Sequence, residues 1–302
     1  MARTSRRFSL FFFRARKHYF TSCQANESNA PLDWRAMTQL IQNQGRNGVA
    51  VLLLHGLCGN PLEFQPLTRR LARDGHTVSV PFIDGYGAAA GKQNVSAYET
   101  WLATAQRHIE RLRADHDRVL LGGICIGANL SMALAAQPQP GVDGLILISP
   151  TLFFDGWNVP RSRVFLPLAY YTPLRYWYRF RESTPFGVKN LRLRAWIAEM
   201  MQRESTSPAG AAYLPAASLY QTHRLIRHVK RALPRITIPT LLLHAVEDDV
   251  SSPKNAHYIA QQIGSQDVGL HWFHDSFHML TLDNEREQVA DAVIRFVRRL
   301  HH

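Results

Sequence analysis

Residues 119–137 read VLLGGICIGANLSMALAAQ, and the fold can be argued outward from them. Val119–Ile124 is a continuous apolar run of strand length, and Gly127–Gln137 suits a buried helix. Between them, Gly123-Ile124-Cys125-Ile126-Gly127 sets a glycine two residues before and two after a cysteine. Small residues at those positions permit a sharp, strained strand-to-helix turn. Such a turn lifts one side chain above a sheet, beside a helix N-terminus, where a nucleophile works. G-x-C-x-G alone is a weak pattern, and a lone buried cysteine is usually inert packing. The flanking strand and helix favour Cys125 as a nucleophile, activated by the helix end and a nearby imidazole.

On either side, strand-like and helix-like pieces alternate. Val49–Leu54 is an apolar strand; Leu62, Phe64, Leu67 and Leu71 recur at helical spacing within Pro61–Arg73. Thr77–Ile83 reads as a strand closing on the turn Asp84-Gly85-Tyr86-Gly87. Ser96 can cap a helix running to about Ala114, and Leu145–Ile148 is again strand-like. Strand character returns at Thr240–Val246 and Val268–Phe273, with helices from Pro253 and over Asn284–Leu300. The expected fold class is therefore α/β, a mostly parallel sheet with helices on both faces. Residues 151–235 interrupt the alternation with crowded aromatics (Phe153, Phe154, Trp157, Tyr170, Tyr171, Tyr176, Trp177, Tyr178, Phe180), prolines and arginines. The expected organisation is an N-terminal extension over 1–48, partly disordered, and a core in two parts, 49–150 and 236–302. Residues 151–235 then form an inserted cap over the ligand-binding sheet edge.

Composition narrows the class. The 302 residues are 46% hydrophobic and 19% charged, which reads as globular. Three cysteines cannot make a disulfide framework, which favours a reducing, cytoplasmic compartment. The formal charge of +12 comes without a nucleic-acid-binding motif, so no nucleic-acid partner is expected. Peripheral contact with an anionic inner-membrane surface, or a phosphorylated carrier of the substrate, suits it better, and a plainly solvated basic surface is as reasonable. The start, MARTSRRFSLFFFRARKHYF, has a basic flank but too short an apolar run for a signal peptide or a span. It reads as a surface anchor or a disordered tail. No metal-ligand spacing is visible, and no cofactor is expected.

Two further stretches carry chemistry. In LLLHGLCGN (52–60) a strand runs into His55-Gly56, a loop whose backbone can expose the N–H of Leu57. With the N–H of Ile126 it would form an oxyanion hole. His55 and Gly56 are expected to border the substrate, His55 mainly orienting the loop; Cys58 is expected to pack rather than react. The acid and base should follow the nucleophile in that order. Asp248 is preferred over Asp249, both following the strand TLLLHAV, with Asp155 a distant third. Of 14 histidines, His278 alone follows the last strand and precedes a helix; His271 and His274 read as packing or surface residues.

LLLHGLCGNPLEFQPLTRRLARDGHTV, PFIDGYG, GGICIGAN, LLLHAVEDDVSSPKNAHYI and SFHMLTLDNEREQVADAVIRFV occur in that order. Together they resemble the bacterial carboxylesterase and monoacylglycerol-lipase branch of the α/β-hydrolases, over roughly 49–150 and 236–300. That resemblance implies an acyl hydrolase with its acid at Asp248 and its histidine at His278. The chain departs from it twice: Gly85-Tyr86-Gly87 stands where the branch commonly has Gly-His-Gly, and Cys125 stands where it has serine. A cysteine elbow is similar to that of dienelactone hydrolases and polyhydroxyalkanoate synthases. It implies a Cys-Asp-His triad, activated acyl donors such as thioesters, and, as an alternative, acyl transfer to an alcohol or amine. A non-catalytic binding protein is the third reading, against which the intact Asp248 and His278 argue.

Overall fold

The structure is a computed structural model that describes residues 41–86 and 95–301. Its centre is a seven-stranded sheet: β1 (Ile41–Asn43), β2 (Val49–Leu54), β3 (Thr77–Val80), β4 (Arg118–Ile124), β5 (Gly144–Ile148), β10 (Thr240–Ala245) and β11 (Val268–Phe273). In space the order is β1-β3-β2-β4-β5-β10-β11, parallel throughout except for the antiparallel edge pair β1–β3. The sheet therefore begins at Ile41, inside the stretch expected as an extension to residue 48. The rest of that extension, through residue 40, lies outside the described residues.

Strand periodicity explains why β2 is buried over its whole length. Ala50, Leu52 and Leu54 enter one core with Trp101, Ile109 and Leu130; Val49, Val51 and Leu53 enter the other with Leu67, Leu71, Val293 and Phe296. The first core is covered by α2 (Tyr98–Asp115), α3 (Ile126–Ala135) and α7 (Lys254–Gln262). The second is covered by α1 (Gln65–Arg73) and α8 (Arg286–His301), which pack on each other. Both faces of a parallel sheet are thus out of water, as the unbroken apolar strands require.

Between β5 and β10 the chain makes mostly short pieces: α4 (Leu166–Tyr170), β6 (Arg179–Arg181), α5 (Leu191–Glu204), β7 (Thr206–Ser207), β8 (Gly210–Ala211) and β9 (Tyr213–Pro215). The long α6 (Ala216–Ala232) that follows differs from them. It lies against α3 and buries Leu225, Ile226 and Val229 in the first core, about 1.5–3 kcal/mol for each such side chain. The last helix within 151–235 is thus packed against the main body.

Candidate active site

At the end of β4 the chain turns directly into α3, and Cys125 takes φ 56° and ψ −119°. That region costs a non-glycine residue about 1–3 kcal/mol and persists only where surroundings enforce it. Here a Cβ on Gly123 would lie 2.3 Å from the carbonyl carbon of Gly127, and one on Gly127 would lie 2.0 Å from the oxygen of Leu54. Both glycines are thus required by the close approach of strand and helix. The N–H of Cys125 donates to Ile148 O at 3.0 Å, and its Sγ lies 3.6 Å from Oγ1 of Thr151. The side chain is half-buried, at the floor of a cavity.

The turn after β10 and the loop after β11 meet at that cavity. Nδ1 of His278 lies 2.8 and 3.0 Å from the two carboxylate oxygens of Asp248. Asp248 also accepts the N–H groups of Val250 and Ser251 at 2.8 and 2.7 Å. Burial opposes its charge, but His278 prevails and holds the carboxyl below its usual range. Burial likewise opposes protonation of His278, yet Asp248 and Cys125 hold its pKa well above that of a free imidazole. Nε2 of His278 is buried without a hydrogen-bond partner among the described residues, and the ring lines the cavity with Cys125.

Asp249 is turned elsewhere. It accepts Gly187 N–H at 3.2 Å and His278 N–H at 3.4 Å, and burial raises its pKa. Asp155 takes the N–H and hydroxyl of Ser252, each at 2.9 Å, and an amide N–H of Asn255 at 3.0 Å, so it ties two loops together. His271 and His274 are exposed, as a surface reading expects.

The His55–Gly56 loop faces Cys125 from β2. Gly56, Leu57 and Ile126 all line the cavity. His55 does not, and its contacts are with the loop it was expected to orient. Its Nε2 accepts Ile83 N–H at 3.2 Å, so Nδ1 carries the proton and donates to Gly56 O at 2.9 Å. Burial lowers its pKa to about 4, against the raising effect of Gly56, so the ring is neutral. The ring stacks on Tyr86 with centroids 5.0 Å apart, and the Tyr86 hydroxyl donates to His55 O at 2.6 Å. In this chain a tyrosine braces the loop from the turn where the branch it resembles commonly has histidine. Cys58 is buried, and burial, with Glu182 adding, pushes its thiol up to about 12. It is a thiol at neutral pH and a poor nucleophile. Cys58 and Cys125 are both free.

The cavity holds two carboxyl groups that the sequence reading missed. Glu63 accepts Gly56 N–H at 2.7 Å and Asn60 N–H at 3.2 Å, and burial pushes its pKa up to about 7. A Cβ on Gly56 would lie 3.4 Å from Glu63 Oε2 and 3.6 Å from Cys125 Cβ, which places the carboxyl beside the nucleophile. The capping box Asn60-x-x-Glu63 was a legible signal for its position. Half-buried Glu182 is likewise pushed up to about 7, by burial and then by Asp249. The aromatics of 151–235 mostly do not line the cavity. Phe154 does, whereas Trp157, Tyr171, Tyr176, Trp177 and Tyr178 are exposed.

Glu63 is expected to make the site sensitive to pH. Burial holds the pKa of its carboxyl at about 7, and above that pH its charge would oppose any negative charge that develops beside Gly56 and Leu57. The ratio of kcat/KM for Glu63→Gln to that of the parent should therefore rise with pH through about 7, on the order of tenfold. Parallel pH profiles check this, and a ratio that stays constant with pH would contradict it.

Comparison with known proteins supports the fold and the hydrolase class. The profile of the Hydrolase_4 family, described as serine aminopeptidase S33, matches residues 45–286. The chain is 26% identical over 248 residues to a thermostable monoacylglycerol lipase of Bacillus sp. (strain H-257), covering 82% of this chain and 90% of that protein. It is 25% identical over 252 residues to a carboxylesterase of Bacillus subtilis (strain 168), covering 83% and 93%. Among solved structures, a monoacylglycerol lipase of Paleococcus ferrophilus superposes with a TM-score of 0.73 at 17% identity, over 86% of this chain and 98% of that one. These relatives are named as lipases and an esterase, which does not favour acyl transfer, the alternative raised by the cysteine. By fold, elbow and profile, the chain belongs to the serine aminopeptidase S33 (Hydrolase_4) family of the α/β-hydrolase superfamily.

Proposed function

We propose that this ester hydrolase of the lipase and carboxylesterase type works through a cysteine nucleophile on esters or thioesters with a short acyl group. The observation that carries the reading is the strained Cys125 elbow sharing one cavity with the Asp248-bound His278. His278 Nε2 takes the thiol proton as sulfur attacks the acyl carbon, and the negative charge gathers on the carbonyl oxygen. The N–H groups of Leu57 and Ile126 receive that oxygen. The carbon–oxygen or carbon–sulfur bond to the leaving group then breaks, and His278 returns its proton to the departing alcohol or thiol. A thioester to Cys125 remains. Water, deprotonated by His278, attacks it, and the acid leaves as the sulfur regains its proton.

Acyl length follows from cavity size. The cavity is about 130 Å³ and is walled by Phe154, Phe186, Met201, Leu214, Leu219 and Met279. An apolar cavity of about 150 Å³ accommodates benzene, so an acyl group of about four to six carbons fills this one. Over that range kcat/KM should rise about fourfold per methylene, from roughly 0.8 kcal/mol each, and then fall. A series of aryl esters of increasing chain length checks it; a rise that continues to long chains would rule out the short-acyl reading.

Between β5 and β10 the chain exposes Trp157, Val164, Phe165, Leu168, Tyr171 and Trp177, and exposed arginines occur in the same stretch. Among the described residues no helix is long and apolar enough to cross a membrane. These apolar and basic side chains are proposed to rest on an anionic lipid surface. Sedimentation with anionic vesicles should weaken with added salt and on charge reversal at Arg161 and Arg179. Salt-insensitive or absent binding speaks against it.

A further inference from the structure

A second cleft, sharing no lining residue with the cavity, lies where the start of α2 meets α6. Its volume is about 520 Å³, and it is lined by Tyr98, Arg224, Arg227, His228, Arg231 and Arg235. That volume falls in the range usual for small-molecule sites. Four guanidinium groups and an imidazole thus surround one cleft, with no acidic residue in its lining.

One of the four is held in place. Arg224 pairs with Glu99 at 2.6 Å, donates to the Gln221 side chain at 3.0 Å, and lies 5.0 Å from the centroid of the Tyr98 ring. Arg227, Arg231 and Arg235 follow at intervals of four residues, and none has an ion-pair partner among the described residues. Arg227 and Arg231 lie in α6, where like charges at that spacing weaken a helix by about 0.2–0.5 kcal/mol per pair, and Arg235 follows in the turn after it. His228 stands between them, its ring 6.2 Å from that of Tyr98. Burial lowers its pKa; Arg235 and Arg231 lower it further, and Glu99 opposes them. Arg235 and Arg231 thus add to the effect of burial at the imidazole, and Glu99 acts against them.

We propose that this cleft is a binding site for a phosphate group, whose oxygens accept from Arg227, Arg231 and Arg235 while Arg224 and Tyr98 form its wall. Planar guanidinium forks match phosphate oxygens two at a time, and several exposed forks lining one cleft suit an anion with three or more acceptor oxygens. A single carboxylate would leave most of those donors unused. The assignment is independent of the chemistry at Cys125, so a failure of either leaves the other standing.

His228 supplies the readout. In the full chain, its ring resonances should shift saturably as inorganic phosphate or pyrophosphate is added at constant ionic strength, and its pKa should rise. A bound anion stabilises the imidazolium, which fixes the sign. The triple variant Arg227→Ala/Arg231→Ala/Arg235→Ala should bind about tenfold more weakly or worse, with ester hydrolysis and melting temperature unchanged. Vesicles of phosphatidylcholine with phosphatidic acid form the second arm. Saturation by the soluble anions identifies a free or esterified phosphate as the ligand. Binding only to phosphatidic-acid vesicles, lost in the triple variant, identifies a lipid headgroup. The proposal is overturned if neither the soluble anions nor the vesicles act through these arginines. It is also overturned if chloride at equal ionic strength reproduces the shift.

Discussion

Replacing Cys125 with alanine should lower turnover by about three orders of magnitude or more, with the fold intact. The side chain sits on an elbow enforced by two glycine contacts and by the hydrogen bond from its own N–H to Ile148 O, and alanine keeps all three. What alanine removes is the sulfur, and with it the proposed acyl-enzyme. The proposed oxyanion donors and the cavity stay in place, so residual hydrolysis should remain above that in water. Mass spectrometry after incubation with a short-chain thioester should find the added acyl mass on Cys125 in the parent and nowhere in the variant. A variant that keeps more than a tenth of the parent's turnover would exclude the cysteine route. Cys125→Ser should retain weak activity shifted toward oxygen esters, because oxygen is shorter and needs more help from His278 to lose its proton.

Asp248→Asn should have the second-largest effect, a loss in kcat of about two to four orders of magnitude. The amide keeps the size of the group but removes the charge that steadies an imidazolium at His278. The His278 pKa should fall at the same time, because Asp248 heads the influences that raise it against burial. Asp249→Asn is the control. Its oxygens accept two backbone N–H groups and do not touch the His278 ring, so its loss should stay within about tenfold. Side-by-side kinetics with NMR titration of His278 decide the matter. A larger loss in Asp249→Asn would move the acid to that residue.

The order of the main body could be read from the chain alone. Val49–Leu54 and Val268–Phe273 are strands over the residues read for them, because both are short runs of strand-like residues bounded by turn signals. Most other helices and strands shift by a residue or two at their ends, but the strand read to Ile83 stops at Val80, and the helix read from Pro61 opens as a 3-10 turn and becomes α-helical at Gln65. Ser96 is one such end: its hydroxyl accepts the Trp101 indole N–H at 2.8 Å, and α2 starts from an uncapped Ala97. The elbow, the oxyanion loop and the candidate acid and base were also legible, since each sits where a strand ends and the fold orders them.

Residues 151–235 resisted such reading, because β6 pairs with β9 some thirty residues later and neither strand has an alternating pattern long enough to show it. Whether one of their aromatic rings faces a cavity, as Phe154 does, or water, as Trp177 does, depends on the packing of distant segments. Glu63 and Glu182 were passed over for the same reason: a charged residue signals burial only when the surfaces around it close.

The sequence by itself determined the parallel sheet, its helical cover and a cysteine at the strand–helix turn. Each rests on contacts between near neighbours in the chain or on the period of apolar residues. Only the tertiary structure decided that Asp248 and not Asp249 meets the His278 ring. It also decided that Glu63 and Glu182 line the same cavity as Cys125, and that Arg224, Arg227 and Arg231 of α6 meet Tyr98 at the start of α2. Those outcomes depend on groups far apart in sequence whose distances only the folded chain sets, and burial and charge act through distance.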